Sequence, residues 1–406
     1  MTSQTGASVD ALSDLTLEKY PSGPLSKRLV GREIEIPLVD EQGEAASVAA
    51  LWPALLDLPD SRVVHDEDTD LVEGVQRPYG FVSVEFGRGV VEVALNPEPD
   101  LAALERSAEV ALAELRAAAE PSGARLLGLG MQPRAATSRE EMTPKRRYLK
   151  LLDQLGERAL CWTGTAADQV HVDVSREELL PALNAVNGFA GAIIALSANS
   201  PLRHGRPAAA QATREHLAAN VFTEPHRWGA TPRRLESLEE YVAYVLSFAP
   251  IEEPDAGLGE WERFVELDHL VWPNGRAVFR FGTVEVRPAC QQPFDSFWVP
   301  SALGLGLVAN AAEADAWLAE RGEWEQLLAY RERAIAAGLA AEEPWPGFVR
   351  GALELAEAGL RRRGAGEERF LADAWERLER RRSPADEALE LVEKEGFDGL
   401  VRARGL

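Results

Sequence analysis

The chain has 406 residues, of which 46% are hydrophobic and 27% charged, and these globular proportions exclude disordered, collagen-like and low-complexity proteins. Its 43 Lys and Arg residues against 66 Asp and Glu residues give a net charge of −23, which argues against binding to nucleic acid or to an anionic membrane. The two cysteines, Cys161 and Cys290, exclude a disulfide framework and a thiolate zinc site.

The N-terminal segment carries no targeting signal, and the apolar stretches carry no membrane signal. The first 20 residues lack the basic start and apolar core of a secretory signal, and no stretch approaches the ~20 apolar residues needed to cross a bilayer. We therefore expect a cytoplasmic protein whose partners are small molecules, with neither nucleic acid nor a membrane among them.

Polar residues 1–27 predict a flexible lead-in. Beyond it, apolar residues at every second position predict strands, and apolar residues at every third or fourth position predict helices. In chain order, the sequence predicts a strand over 28–36, a hairpin over 81–95, a helix over 99–119, a strand over 125–130, a helix over 145–156, a strand over 169–174, helices over 177–198 and 236–248, a strand over 277–288 and helices from about 298 to the end.

This order of elements predicts the fold class. The strands do not alternate regularly with helices, and a run of helices follows them, which favours an α+β fold over a doubly wound parallel sheet. We therefore expect a largely antiparallel sheet, with helices packed on one face and the other face open to form a cleft.

The common catalytic motifs are absent from the sequence. It has no G-x-x-x-x-G-K-[ST] phosphate loop, so any ATP site is of another kind. It also has no H-E-x-x-H, no G-x-S-x-G and no kinase catalytic loop, which removes the commonest metalloprotease, hydrolase and protein-kinase interpretations.

The polar faces of the predicted strands are more informative. Side chains two positions apart share a face of a strand. The resulting groups are Glu33 with Glu35; Gln169, His171 and Asp173; Thr283, Glu285 and Arg287; and Glu85 with Glu92 on either side of the hairpin turn. Any one group alone is typical of a solvated strand face. Together, however, crowded carboxylates would repel each other unless a cation lay between them. Oxygen ligands with one imidazole suit Mg²⁺ or Mn²⁺, so the pattern predicts a metal–nucleotide site on an open antiparallel sheet.

Arginines close to the same elements would complete such a site, because a guanidinium group can bind a carboxylate or a phosphate through two hydrogen bonds. These residues are Arg146 and Arg147 with Tyr148 at a helix start; Arg203, Arg206 and Arg214 after the break at Asn199-Ser200-Pro201; and Arg276, Arg280 and Arg287 around the last strand. Each of them could equally be an ordinary surface residue.

Several stretches, in this order along the chain, resemble the glutamate-cysteine ligases of the plant and actinobacterial (ergothioneine-pathway) type, together with related bacterial carboxylate-amine ligases. The similarity covers about residues 28–300, and residues 301–406 are loosely similar. The matching stretches are Gly31-Arg-Glu-Ile-Glu-Ile36, Val84-Glu-Phe-Gly-Arg-Gly-Val-Val-Glu92, Leu127-Gly-Leu-Gly-Met-Gln-Pro133, Pro144-Lys-Arg-Arg-Tyr148, Gln169-Val-His-Val-Asp-Val-Ser175, Ala198-Asn-Ser-Pro201, Arg214-Glu-His216 and Gly282-Thr-Val-Glu-Val-Arg-Pro288.

The resemblance implies a glutamine-synthetase-like antiparallel sheet that lines a funnel, within an ATP-dependent ligase catalytic domain over 28–300, and a helical C-terminal part over 301–406 packed on the same domain. It also implies an activity: the ligation of glutamate to cysteine through γ-glutamyl phosphate, with ATP and Mg²⁺ or Mn²⁺.

The resemblance further implies a role for individual residues. The implied metal ligands are Glu33, Glu35, Glu85, Glu92, His171 and Glu285. Arg287 and Arg214 would be catalytic; Arg147, Tyr148, Asn199 and Arg214 would bind substrate; and Arg280, Arg287 and Gln169 would bind the nucleotide. The chain departs from the family at two points: the hairpin between Glu85 and Glu92 is one residue longer than usual, and Arg146 stands where plant-type sequences often have glycine.

Three alternatives remain open at this stage. A carboxylate-amine ligase could use an amine other than cysteine, a guanidino-kinase-like phosphotransferase could use a comparable sheet and similar arginines, and a non-catalytic relative could have kept the ligand site. The acceptor amine, the oligomeric state and any redox role of the two cysteines do not follow from the sequence.

Overall fold

A nine-stranded antiparallel sheet forms the centre of the computed structural model, which describes residues 8–251 and 257–406. Two two-stranded sheets lie outside it. In chain order, the described strands are β1 (Val30–Val39), β2 (Arg62–His65), β3 (Val72–Arg77), β4 (Gly80–Val84), β5 (Val90–Glu98), β6 (Arg125–Leu126), β7 (Asp168–Asp173), β8 (Leu202–Arg203), β9 (Arg206–Pro207), β10 (Trp228–Gly229), β11 (Trp272–Pro273), β12 (Gly275–Val278) and β13 (Thr283–Val286).

Described helices surround this sheet. They are α1 (Val9–Leu17), α2 (Trp52–Leu56), α3 (Leu101–Ala119), α4 (Arg146–Leu155), α5 (Arg176–Gly188), α6 (Ala190–Ser197), α7 (Thr213–Ala219), α8 (Leu238–Leu246), α9 (Glu260–His269), α10 (Val299–Ala309), α11 (Ala311–Arg321), α12 (Trp324–Ala337), α13 (Phe348–Arg363), α14 (Ala372–Arg380) and α15 (Pro384–Arg404). The predicted α+β class with a largely antiparallel sheet and C-terminal helices is confirmed.

The order of the sheet is β12-β13-β7-β1-β5-β4-β3-β2, and β6 pairs with the end of β1. The central strand β1 thus lies between β5 and β7, both antiparallel to it. Glu35 on β1 is opposite Glu92 on β5. On the next pair of strands, Glu285 of β13 is opposite His171 of β7. The register therefore brings four of the predicted site residues into two cross-strand pairs.

The opposite face of the sheet is apolar and covered by helices. Ile34, Val170 and Val284 point to this face and are 0–1% exposed. Helices α3, α5 and α10 pack against it, and α10 also packs on α13 from the C-terminal part. Because side chains alternate between the two faces of a strand, this buried apolar face leaves the alternate, polar positions on the open side.

Most predicted elements are present, with two instructive differences. The helix predicted over 177–198 is two helices, α5 and α6, which meet at Phe189 with a bend of 52°. At this point α5 packs closely against α11, since a Cβ at Gly188 would lie 2.5 Å from Leu318. The strand predicted over 277–288 is the hairpin β12–β13, which turns at Gly282 with a φ of +69°, a conformation that glycine adopts without strain.

The flexible lead-in predicted over 1–27 is wrong for the part that contains α1. This helix begins after Ser8, whose hydroxyl accepts a hydrogen bond from the Ala11 amide at 3.2 Å. Leu12 is 3% exposed, and Tyr20, which follows the helix, is 1% exposed and donates to the Thr283 carbonyl at 3.2 Å. Because this segment is mostly polar, the sequence did not indicate that a few apolar residues anchor it to the protein.

Among the described residues, no single helix is long and apolar enough to cross a membrane, although the bent pair α5–α6 has the length and composition to do so. Leu183, Val186, Ile193 and Leu196 of this pair are 0–1% exposed within the protein. The apolar residues of this helix pair are therefore part of the protein core.

A buried ion pair lies on the helix-covered side of the sheet. Arg32 of β1 binds Asp168 of β7 through two hydrogen bonds of 2.9 and 2.6 Å, and both side chains are 0% exposed. The guanidinium also donates to the Phe297 carbonyl at 2.5 Å and lies over the Phe297 ring at 3.9 Å. Burial raises the pKa of Asp168 above its ordinary value, even though Arg32 acts in the opposite direction.

We expect Arg32→Met to lower the free energy of unfolding by about 3–5 kcal/mol, because it leaves a buried carboxyl group without its partner. Urea denaturation would measure the change. Arg402→Met, which removes an exposed ion pair with Glu395, is the matched control and should cost at most about 1 kcal/mol. Recovery of most of the stability in Arg32→Met/Asp168→Leu would support this reason, whereas equal losses for Arg32→Met and the control would contradict it.

Candidate active site

The open face of the sheet forms the floor of a cavity of about 1720 Å³. Its walls come from α4, α9 and the β12–β13 hairpin, and Leu12 of α1 lies at its edge. The sequence-predicted residues that line this cavity are Glu33, Glu35, Glu85, Glu92, Arg147, Tyr148, Gln169, His171, Arg214, Arg276, Arg280, Glu285 and Arg287. Residues far apart in the sequence are therefore gathered around one space.

Glu33, His171 and Glu285 form the tightest group in this cavity. One ligand atom from each lies within 4.8 Å of the others, on three adjacent strands. His171 Nε2 is 3.2 Å from Glu33 Oε1 and has no hydrogen-bond partner of good geometry. Burial alone would lower the pKa of His171, but the neighbouring Glu33 and Glu285 carboxylates raise it above its ordinary value.

Glu285 is also held by two arginines. Its side chain is 1% exposed, Arg276 lies 2.9 Å from Oε2, and Arg287 donates to Oε1. Although burial acts in the opposite direction, the charges of Arg276 and Arg287 lower the pKa of Glu285 to about 2. The carboxylate is thus ionised at neutral pH and is already neutralised by protein groups.

A second acidic group comprises Glu35, Glu85 and Glu92. Glu35 accepts hydrogen bonds from the Ala167 amide at 2.6 Å and from Gln169 at 3.1 Å. Burial and the charge of Glu85 raise the pKa of Glu35 to about 8. Burial, together with the charges of Glu85 and Glu33, raises the pKa of Glu92 well above its ordinary value. Too few cationic protein groups lie near these carboxyl groups to keep all of them ionised.

The two groups suit a divalent cation. The imidazole nitrogen of His171 is buried without a good hydrogen-bond partner, and the neighbouring donors are carboxylate oxygens, which Mg²⁺ and Mn²⁺ prefer. A cation would also lower the mutual repulsion that raises the pKa of Glu35 and Glu92.

Arg214 and Arg287 supply positive charge beside these acids. Arg214 Nη2 donates to the Arg287 carbonyl at 3.2 Å, and Arg287 Nη1 donates to Gln169 Oε1 at 2.5 Å. Both guanidinium groups lie over the Trp228 ring, at 6.0 and 5.7 Å from its centre. Two cations that converge on one wall of a cavity can bind the oxygens of a phosphate or carboxylate.

The mouth of the cavity carries the more exposed predicted residues. Arg147 is exposed at the start of α4, whereas Tyr148 is 8% exposed and its hydroxyl lies 3.4 Å from Glu85 Oε2. On the β12–β13 hairpin, Arg280 is exposed and lies over the Phe281 ring at 5.5 Å. Phe281 is itself 61% exposed.

Asn199 does not line the cavity, which corrects its predicted contact with substrate. The side chain is 0% exposed and donates to the Gly128 and Gln291 carbonyls at 3.1 and 2.7 Å. Its amide therefore joins two loops below the site. The Asn199-Ser200-Pro201 sequence was a sound signal for the end of α6, but a chain break does not show where its side chains point.

Sequence reasoning missed several residues of the site. An aromatic wall is formed by Trp162, whose ring centre is 5.7 Å from Phe86, 6.2 Å from Trp272 and 6.5 Å from Trp228. No periodic pattern links these rings, although four aromatic residues near predicted site elements were an available compositional signal. Glu215, the neighbour of Arg214, lies within one of the family-like stretches, but no sequence pattern assigns it a role.

A family of known proteins matches this chain. The model of the family described as "Glutamate-cysteine ligase family 2(GCS2)" matches residues 29–403. A Rubrobacter xylanophilus protein named "Putative glutamate--cysteine ligase 2-3" is 30% identical over 337 residues, which are 77% of this chain and 81% of the relative.

Two solved structures share the fold. A glutamate–cysteine ligase from Francisella tularensis, solved in complex with AMP, has a TM-score of 0.56 at 12% identity and covers 95% of this chain and 89% of its own. A bifunctional glutathione synthetase from Pasteurella multocida has a TM-score of 0.57 at 15% identity over 97% of this chain. This chain spans 52%, or about half, of that second protein.

The family match extends over nearly the whole chain and includes the strands and helices that surround the cavity. The family identified from the ordered sequence stretches is thereby confirmed. The chain belongs to glutamate-cysteine ligase family 2, a family of ATP-dependent carboxylate-amine ligases.

Proposed function

We propose that the protein is an ATP-dependent glutamate–cysteine ligase, which forms γ-glutamylcysteine through a γ-glutamyl phosphate intermediate. The observation that carries this proposal is the joint placement of carboxylates, His171 and the Arg214–Arg287 pair on one open sheet face. Apart from Leu12 at its edge, the cavity is lined by residues between 33 and 287, which supports a catalytic part within 28–300.

A carboxylate and an amine do not condense at neutral pH, because the carboxylate is a poor electrophile and its oxygen is a poor leaving group. In the first step of the proposed reaction, a γ-carboxylate oxygen of glutamate attacks the γ-phosphorus of ATP, and the bond from phosphorus to the bridging oxygen of ADP breaks. The products are ADP and an acyl phosphate. Arg214 and Arg287 would bind the negative oxygens and orient the two reactants.

Glu33, Glu35, Glu85, Glu92, His171 and Glu285 are the proposed residues for Mg²⁺ or Mn²⁺. When bound there, the cation would neutralise phosphate oxygens of the nucleotide. Gln169 and Arg280 are proposed to contact the nucleotide, since Gln169 is held by Arg287 and Arg280 lies at the cavity mouth.

In the second step, the amine attacks the acyl carbonyl, and the carbonyl oxygen becomes negative. The amine loses its proton, and phosphate leaves as the carbonyl re-forms. A cationic side chain such as Arg287 would stabilise the negative oxygen. Arg147 and Tyr148 are proposed to bind the amino-acid substrate, because both line the cavity and Tyr148 lies next to Glu85. No protein nucleophile is required.

A carboxylate-amine ligase that uses a different amine is the second candidate. The aromatic wall of Trp162, Trp228 and Trp272 supports this second candidate, because the wall offers more apolar surface than the thiol side chain of cysteine needs. The family match does not favour a guanidino kinase. Retention of the acids and arginines in one cavity likewise does not favour a non-catalytic relative.

Product analysis would test the proposed reaction. With ATP, Mg²⁺ and glutamate, we expect ADP and inorganic phosphate to form in a ratio of one to one, and faster with cysteine than with any other amino acid or common amine. A preference for another amine would replace cysteine in the proposal, and a stable phosphorylated product without inorganic phosphate would indicate a phosphotransferase. No amine-dependent ADP would contradict the ligase.

Removing acids one at a time separates metal binding from folding. We expect Glu92→Gln to weaken Mg²⁺ binding about 10- to 100-fold while raising the free energy of unfolding, because it relieves repulsion among crowded acids. Glu285→Gln should lower both activity and stability, since it leaves Arg276 and Arg287 partly unpaired.

Isothermal titration calorimetry with Mg²⁺ and urea denaturation would measure the two effects. Glu41→Gln, in an exposed turn after β1, is the matched control and should change neither quantity. Equal destabilisation by Glu92→Gln and Glu285→Gln would show that the acids act only as parts of the fold.

The raised pKa of Glu35 predicts a dependence of stability on pH in the metal-free protein. The folded protein holds a proton on this group up to a pH of about 8, whereas the unfolded chain loses it near the ordinary value of 4.5. Stability from this group is therefore fully present below pH ~4.5 and is lost as the pH rises towards ~8.

Thermal denaturation with a chelator would show this loss, and Glu35→Gln should reduce it because the substituted side chain does not ionise. Mg²⁺ should oppose the loss at pH 8, since it stabilises the ionised form. A profile that is the same for the native chain and Glu35→Gln would contradict this assignment.

A further inference from the structure

A buried network links α12, a helix of the C-terminal part, to the cavity. Arg331 of α12 is 4% exposed, and its guanidinium forms an ion pair with Glu215, which is 0% exposed. The other oxygen of Glu215 accepts a hydrogen bond from Arg214 at 2.8 Å. Glu215 thus lies between two arginines, of which Arg214 faces the cavity and Arg331 does not.

Asn274 joins the same network to Arg287, which directly follows β13. Its side-chain oxygen accepts from Arg331 Nε at 2.7 Å, and its amide nitrogen lies 3.4 Å from Glu215 Oε2. Its backbone carbonyl accepts from the Arg287 amide at 2.9 Å. The indole of Trp228 also donates to Glu215 Oε2, at 3.3 Å. The carboxylate is therefore fixed from several directions.

The backbone around Arg331 is shaped for this contact. Gly229 has a φ of +104°, and a Cβ there would lie 3.1 Å from the Arg331 guanidinium carbon. A Cβ at Gly191 of α6 would lie 2.6 Å from Tyr330 and 3.1 Å from the backbone of Arg331. Two glycines thus let α12 approach closely enough for its arginine to reach Glu215.

We propose that Arg331 and Glu215 are positioning residues, which hold the Arg214 guanidinium at the cavity wall. A buried carboxylate with one cationic partner would draw that partner fully towards itself. Arg331 gives Glu215 a second cationic partner, so Arg214 is not drawn fully towards Glu215. One Nη of Arg214 donates instead to the Arg287 carbonyl, and its side chain lines the cavity. This assignment rests on the proposed function, because the value of a fixed Arg214 comes from the reaction.

Chemical rescue tests this role directly. A second cavity of about 410 Å³, lined by Arg331, Trp228 and the exposed Glu332, leads from the surface to the Arg331 side chain. In Arg331→Ala, we expect kcat/KM for ADP formation to fall on the order of 100-fold, because Arg214 is displaced. Low-millimolar guanidinium should restore much of the loss through this cavity, and urea, which is similar in shape but uncharged, should not.

A double-mutant cycle separates positioning from a general loss of structure. If Arg331 acts through Arg214, then Arg331→Met should cost little further kcat/KM in an Arg214→Met background. Multiplicative losses would overturn the proposal. Arg333→Met, at an exposed arginine of the same helix, is the matched control and should leave kcat and KM unchanged.

A double variant tests the proposal if the single variants fold poorly, and crystal structures test it if turnover is absent. Arg331→Met/Glu215→Gln removes one buried charge of each sign and leaves the net charge of the network unchanged, so the fold should persist while kcat/KM stays low; activity like that of the native chain would overturn the role. Crystal structures of Arg331→Ala with and without guanidinium would report the position of Arg214 without any reaction. A wild-type protein without ligase activity would refute the proposed function, whereas an Arg214 that does not move would refute only the positioning role.

Discussion

The pairing of β1 with β5 on one side and β7 on the other is the constraint on which the site depends. It sets Glu35 against Glu92, and β7 in turn sets His171 against Glu285. A shift of one residue in either register would turn a carboxylate into the apolar core. The buried ion pair of Arg32 with Asp168 joins β1 and β7 below the site, so the register has a specific polar contact as well as apolar packing.

The two acidic groups differ in how their charge is neutralised. Glu285 is paired with arginines and stays ionised, whereas Glu35 and Glu92 have raised pKa values because burial and like charges dominate around them. One cavity therefore contains carboxyl groups with too few cationic partners and, beside them, the guanidinium groups of Arg214 and Arg287. A metal-bound triphosphate has charges complementary to both.

The sequence predicted the antiparallel sheet and the charged residues on the sheet floor of the cavity, because alternation along a strand fixes which side chains share a face. Glu33 with Glu35, and Gln169 with His171, were found in this way. The predicted contact of Asn199 with substrate rests on the resemblance and not on alternation, and the side chain of Asn199 lies below the cavity. Alternation along a strand also gives no information about the contacts that helices make with the site. In the sequence, Arg331 on α12 therefore cannot be distinguished from the exposed Arg333.

The position of Arg331 has a consequence for biosynthesis. The acids of the sheet are translated early, but the arginine that neutralises Glu215 arrives only with α12, more than a hundred residues after Arg214. A nascent chain that has emerged only through β13 holds Glu215 with Arg214 as a cationic partner but without Arg331. The site is therefore completed late in synthesis, when the C-terminal helices dock and long-range contacts close over the sheet.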